Sequence, residues 1–84
     1  MSENKEELKN KILYRASYRG TKEMDIFLST FVDGIINDLN LNELEQLNNL
    51  VNLNDEEIIS ISKGSLKIDI DEKILNLLIN FNNK

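Results

Sequence analysis

The sequence predicts an all-α fold, a compact bundle of five short, antiparallel-type helices. Apolar residues recur at three- and four-residue spacing along most of the chain. The most regular run is Met24, Phe27, Leu28, Phe31, Ile35 and Leu39, the period of a helix with one buried face. Three stretches repeat a helix-start signature, a capping residue followed three positions later by glutamate. They are Asn40 with Glu43, Asn54 with Glu57, and Asp69 with Glu72. The intervening loops come out at about two to six residues, short enough to make successive helices antiparallel neighbours.

Residues 1–5 are polar and read as a flexible N-terminus, residues 6–80 as the single domain, and residues 81–84 as a loose polar C-terminus. From about Glu6 to Arg19, Leu8, Ile12, Tyr14, Ala16 and Tyr18 recur at helical spacing, with Lys9 and Lys11 on the other side. Gly20 fits the position just past that helix, where a left-handed backbone costs least. Thr21 then caps the second helix, and Glu23 falls in its first turn, where the macrodipole favours negative charge. Asp33, Asn37 and Asp38 lie opposite the apolar stripe. Gly34 weakens this helix by about 1 kcal/mol relative to alanine and reads as a close-packing point.

Leu44, Leu47, Leu50 and Val51 form the third apolar face, and Ile58, Ile59 and Ile61 the fourth, closed by Gly64. The connector from Ser65 to Ile68 alternates in a way that suits a short extended piece. Ile74, Leu75, Leu77, Leu78 and Phe81 line the last helix.

Composition narrows the function. Eighty-four residues make one domain, and a chain this size buries roughly 60–65% of its unfolded surface, which leaves one modest core. Cysteine and histidine are absent, which removes disulfides, thiolate metal sites and the commonest general base. A net charge of −5 opposes nonspecific nucleic-acid binding, which depends on basic residues neutralising phosphates. No apolar run approaches the roughly 18 residues needed for membrane insertion. The acidic N-terminal stretch lacks the features of a secretory or transit peptide. The expectation is a soluble, cytoplasmic, monomeric protein that is not an enzyme.

Function concentrates in the stretch from Tyr14 to Asp25. Of ten basic residues only two are arginine, Arg15 and Arg19, four apart, and each directly follows one of the two tyrosines, Tyr14 and Tyr18. Arginine offers a planar five-donor fork for carboxylate or phosphate and stacks on aromatic faces, whereas lysine is a point charge on a flexible stem. A spacing of four places each pair on one side of a helix. Gly20 ends that helix and Glu23 and Asp25 follow, so a polar patch is expected at a helix junction.

Arg19-Gly20-Thr21-Lys22-Glu23 reads as RGxxE, extended by Met24 and Asp25 and preceded by Leu13-Tyr14-Arg15-Ala16. On these residues, with the chain length, the motif's place near residue 20 and the Leu39–Glu43 helix start, the chain resembles the SdhE or RGxxE family. These are small flavinylation factors of succinate dehydrogenase. The likeness covers most of residues 8–64. Tyr18 stands where many relatives carry another basic residue, and no tryptophan occurs near Ile61.

The resemblance implies an assembly chaperone that binds the flavoprotein subunit of succinate dehydrogenase, or of the related fumarate reductase. It would promote covalent FAD attachment to a histidine of that partner. FAD is then the partner's cofactor, and the likeness leaves open whether the factor touches it. The implied partner-binding residues are Arg15, Tyr18, Arg19, Gly20, Glu23 and Asp25. Changes at Arg19 and Gly20 are expected to abolish flavinylation while leaving the helices intact.

Each feature also has a plainer reading. The arginines suit a solvated face near a helix C-terminus, Glu23 an ion pair with Arg19, and the tyrosines half-buried packing or an interface rim. Asp55-Glu56-Glu57 reads as dipole complement, and Asp69, Asp71 and Glu72 fail the calcium-loop spacing. The competing functional class is a small α-helical adaptor whose arginine pair reads another acidic or phosphorylated partner.

Overall fold

The computed structural model describes residues 4–66 and 68–83. Five α-helices and one 3₁₀ turn account for most of them: α1 Lys5–Ser17, α2 Lys22–Ile35, the 3₁₀ turn Ile36–Asp38, α3 Leu41–Val51, α4 Asp55–Ser62 and α5 Glu72–Asn82. The fold is all-α, with no strand among the described residues. Most of the N-terminal segment 1–5 lies outside them, as do Lys67 and Lys84.

Each helix begins where a polar side chain replaces a missing turn. Asn4 accepts a hydrogen bond from the Glu7 amide, and Thr21 does the same for Met24. Asn40 with Glu43 and Asn54 with Glu57 form reciprocal capping boxes, as their spacing predicts. The third expected start moves. Asp71, not Asp69, caps α5, accepting from the Lys73 amide at 2.8 Å. Its own amide donates to Gln46 Oε1 of α3 at 3.0 Å, and Ile70 N–H turns back to the Ile68 carbonyl. A side chain from another helix therefore sets where α5 begins. Residues 63–71 form a longer connector than expected.

The core is one continuous cluster. Leu8, Ile12 and Ala16 of α1 meet Met24, Leu28, Phe31 and Val32 of α2 and Leu44, Leu47, Leu50 and Val51 of α3. Ile36 of the 3₁₀ turn, Leu39, Ile58 and Ile61 of α4, and Ile74 and Leu78 of α5 complete it. Helix α1 packs chiefly on α2 and α3, and α4 on α5. The Cα radius of gyration is 11.9 Å, the value of about 12 Å that a folded chain of this length reaches. Phe81 sits 5.4 Å from Phe27 and 5.5 Å from Phe31, ring centre to ring centre. Thus α5 continues through Asn82 and its end is held by aromatic packing, whereas composition had suggested a loose tail from residue 81.

Two glycine expectations are corrected here. Gly64 alone has a positive φ, +76°, and does close α4. Gly20 does not adopt the left-handed conformation. Gly34 is exposed, and a Cβ built there meets nothing within 4 Å, so no close packing requires it. Gly34→Ala should therefore stabilise the fold by about 0.5–1 kcal/mol through helix propensity and a less flexible unfolded chain. A rise in melting temperature of roughly 3–6 °C would register this; no rise would mean that the glycine serves some contact outside the helix.

Lys73 Nζ lies 2.6 Å from Glu43 Oε2 and links the start of α5 to the capping box of α3. The hydrogen bond from Lys73, then that from the Asn40 amide, lowers the Glu43 pKa, and the same partnership raises that of Lys73. A lowered carboxylate pKa gives stability that is present above the unfolded value of about 4.3 and lost as pH falls through the folded value. The lysine contribution is present below its unfolded value of about 10.4 and lost as pH rises through the raised one. Acidifying from pH 6 to 3 should lower the urea midpoint, and Lys73→Met should flatten the part of that slope due to Glu43. Identical slopes in the two proteins would remove the pair from acid stability.

Candidate functional site

Helix α1 stops at Ser17, two residues before Arg19, and residues 18–21 cross to α2. The carbonyls at its end find other partners. Ser17 Oγ donates to the Leu13 carbonyl at 2.9 Å, Arg19 Nη1 to Arg15 at 3.3 Å, and Ser29 Oγ of α2 to Ala16 at 3.1 Å. With side chains capping the helix, a left-handed glycine is not needed. This is why Gly20 departs from the expected role.

Arg19 lies beyond the helix and so leaves the face that carries Arg15. Its side chain is 9% exposed. Nε donates to Asp55 Oδ1 at 2.9 Å, Nη1 to the Val51 carbonyl at 2.7 Å and Nη2 to the Leu53 carbonyl at 2.6 Å. The guanidinium thus closes the C-terminal end of α3, touches that of α1, and pairs with an acid in the first turn of α4. Positive charge at helix C-termini and negative charge at an N-terminus are the arrangement macrodipoles favour. A lysine ammonium cannot span these diverging acceptors, which is the physical reason for arginine.

Asp55 has a second bond. Its Oδ2 accepts from the Gly20 amide at 3.1 Å, and a Cβ on Gly20 would stand 3.0 Å from the same oxygen. A side chain at position 20 would press on this carboxylate, which would have to give by a few tenths of an ångström. Asp25, half-buried on α2, accepts from the Arg19 backbone amide. Residues 18–21 are held by α4 through Asp55 and by α2 through Asp25 and the Thr21 cap.

The other expected site residues point outward. Tyr14 and Tyr18 are 63% and 70% exposed and pack on each other with ring centres 4.5 Å apart, so the half-buried reading does not hold. Arg15 and Glu23 are exposed, and their side chains form no hydrogen bond or ion pair among the described residues. The plainer reading of Glu23 as a partner of Arg19 also fails, because Asp55 occupies the guanidinium. A groove between α1 and α3, lined by Tyr14, Arg15, Asn10, Asn48 and Asn52, adjoins the tyrosines. A second, lined by Glu23, Met24, Phe27, Ile59 and Lys63, adjoins Glu23.

Sequence reasoning missed Asp55, which read as one of three acids at a helix start. One signal was present. The capping box needs only Asn54 and Glu57, so Asp55 was available for another task. Among the described residues, no cluster of three acids could hold a metal ion, and no helix is long and apolar enough to cross a membrane.

The fold and the site define a small all-α protein that presents a polar and aromatic patch on an internally clamped helix junction. The profile of the family described as flavinator of succinate dehydrogenase (Sdh5) matches residues 10–82, and the chain belongs to that family. No curated protein and no solved structure gives a match to this chain.

Removing the guanidinium takes the donor from three carbonyls and strands a partly buried carboxylate. Arg19→Ala should therefore cost about 2–4 kcal/mol, against a total stability of roughly 5–15 kcal/mol for a small domain. The helices are then expected to persist at a lowered unfolding midpoint. Urea unfolding followed by circular dichroism checks it; an unchanged midpoint would make the clamp energetically idle.

Proposed function

We propose that this chain is a non-enzymatic assembly factor that binds the flavoprotein subunit of succinate dehydrogenase or of fumarate reductase. It promotes covalent attachment of FAD to the partner. The family profile over residues 10–82 is the observation that carries this reading. The chain has neither histidine nor cysteine, so the FAD–histidine bond forms on the partner's own side chain. What this protein contributes is a shaped surface that holds the partner in a form competent for flavinylation.

The division of roles at the junction supports such a surface. Tyr18, Arg15 and Glu23 have free polar or aromatic ends, and Gly20 is exposed between them in sequence. These make the contact. Arg19 and Asp25 act from behind by fixing the backbone on which the contact residues sit. Stacked tyrosines suit the rim of an interface, where each ring has an apolar body and a hydroxyl for water or a partner. An unpaired arginine beside them can take a partner carboxylate in two parallel hydrogen bonds. The factor works as a monomer, soluble in the cytoplasm.

The test uses the intrinsic fluorescence of covalently bound flavin in a denaturing gel of the cognate flavoprotein subunit. The subunit is produced in cells lacking their own factor, with and without this chain. A covalent band only in the presence of the chain is expected. Equal bands in both would favour an adaptor for another acidic or phosphorylated partner. Glu23→Gln and Arg15→Ala should keep the wild-type unfolding midpoint and weaken binding to the subunit by about 1–2 kcal/mol each, or roughly 5- to 30-fold. Titration of the labelled factor against the subunit measures this, and unaltered affinity would place both residues outside the interface.

A further inference from the structure

We infer that Asp55 is a positioning residue of the flavinylation site, acting through Gly20 and Arg19 without touching the partner's reacting groups. The inference rests on the function proposed above and extends its site to a residue 35 positions beyond the glycine. Three observations converge on this carboxylate. Its two oxygens have different tasks, Oδ1 for the Arg19 Nε–H at 2.9 Å and Oδ2 for the Gly20 N–H at 3.1 Å. It is only 26% exposed, and it stands at the first position of α4, against the loop at residues 18–21. Finally, Gly20 approaches it so closely that a Cβ would sit 3.0 Å away.

The consequence is directional. Tyr18 precedes and Glu23 follows the two residues that Asp55 grips. A carboxylate that accepts one bond from a side chain and one from a backbone amide fixes the loop in translation and in rotation about the chain. An amide at position 55 still has one acceptor oxygen, but its NH₂ presents a donor to another donor. Asp55→Asn therefore keeps the size and releases one of the two grips. If the exposed residues alone made the site, releasing the loop from behind would leave activity unchanged.

The experiment compares wild type, Asp55→Asn, Asp55→Glu and the core control Ile74→Val, all full-length, at a temperature where each is fully folded by circular dichroism. Ile74 lies in α5 and is fully buried. Its substitution removes stability through the core of a different helix. Two quantities are read: the Gly20 amide resonance by NMR, and the initial rate of covalent flavin formation as factor concentration is varied. We expect the Gly20 resonance of Asp55→Asn to be displaced from its wild-type position, and those of Asp55→Glu and Ile74→Val to lie progressively nearer to it. We expect Asp55→Asn to need at least tenfold more factor for half-maximal rate, Asp55→Glu to recover part of the loss, and Ile74→Val to behave as wild type.

An Asp55→Asn variant with a displaced Gly20 resonance and wild-type flavinylation would overturn the inference. So would an Ile74→Val variant as impaired as Asp55→Asn, which would make stability the cause. If the wild-type chain drives no flavinylation, the proposed function falls. The grip on the loop then stands or falls on the Gly20 resonance alone.

Discussion

One buried guanidinium closes several helix ends at once. Every helix leaves carbonyls unsatisfied at its C-terminus, and a short bundle has many ends for its size. Around Arg19, the end of α3, the last turn of α1 and the start of α4 meet, and a single planar fork with its partner Asp55 satisfies groups from all three. This requires the side chain to be buried, which in turn requires α1 to stop before residue 19. The loop conformation, the glycine at position 20 and the outward direction of Tyr18 and Glu23 follow from that arrangement.

The RGxxE sequence thus separates into parts with different physical duties. Its arginine works inside the fold, its glycine makes room for a carboxylate from α4, and its glutamate faces solvent without a partner among the described residues. A motif that looks from sequence like one contact patch is, in the structure, a clamp that carries exposed residues beside it. Arg19 is tied into the fold, whereas Arg15, Tyr18 and Glu23 are exposed. Substitutions at these positions therefore separate effects on function from effects on stability.

Much of the fold was legible because it depends on local physics. Helical periodicity, the Asn40–Glu43 and Asn54–Glu57 boxes and the Thr21 cap act within about four residues of themselves, and each appears where the spacing put it. The α5 start was misplaced because Gln46, 25 residues away, holds the Asp71 amide. Its far end was misjudged because Phe81 finds two phenylalanines of α2. Gly34 had been given a packing reason that its open surroundings do not supply.

The site divides in the same way. Sequence alone determined the all-α class and singled out the stretch around position 20, since both rest on residue type and short-range spacing. It also determined that an FAD–histidine bond cannot form on this chain, since that rests on composition alone. Only the tertiary structure decided that Arg19 turns inward, that Tyr14 and Tyr18 stack in the open, and that Asp55 completes the junction. The reason is geometric. A side chain's partner depends on which helix ends the core brings together, and that is set by the packing of α1 on α2 and α3 rather than by any neighbour along the chain.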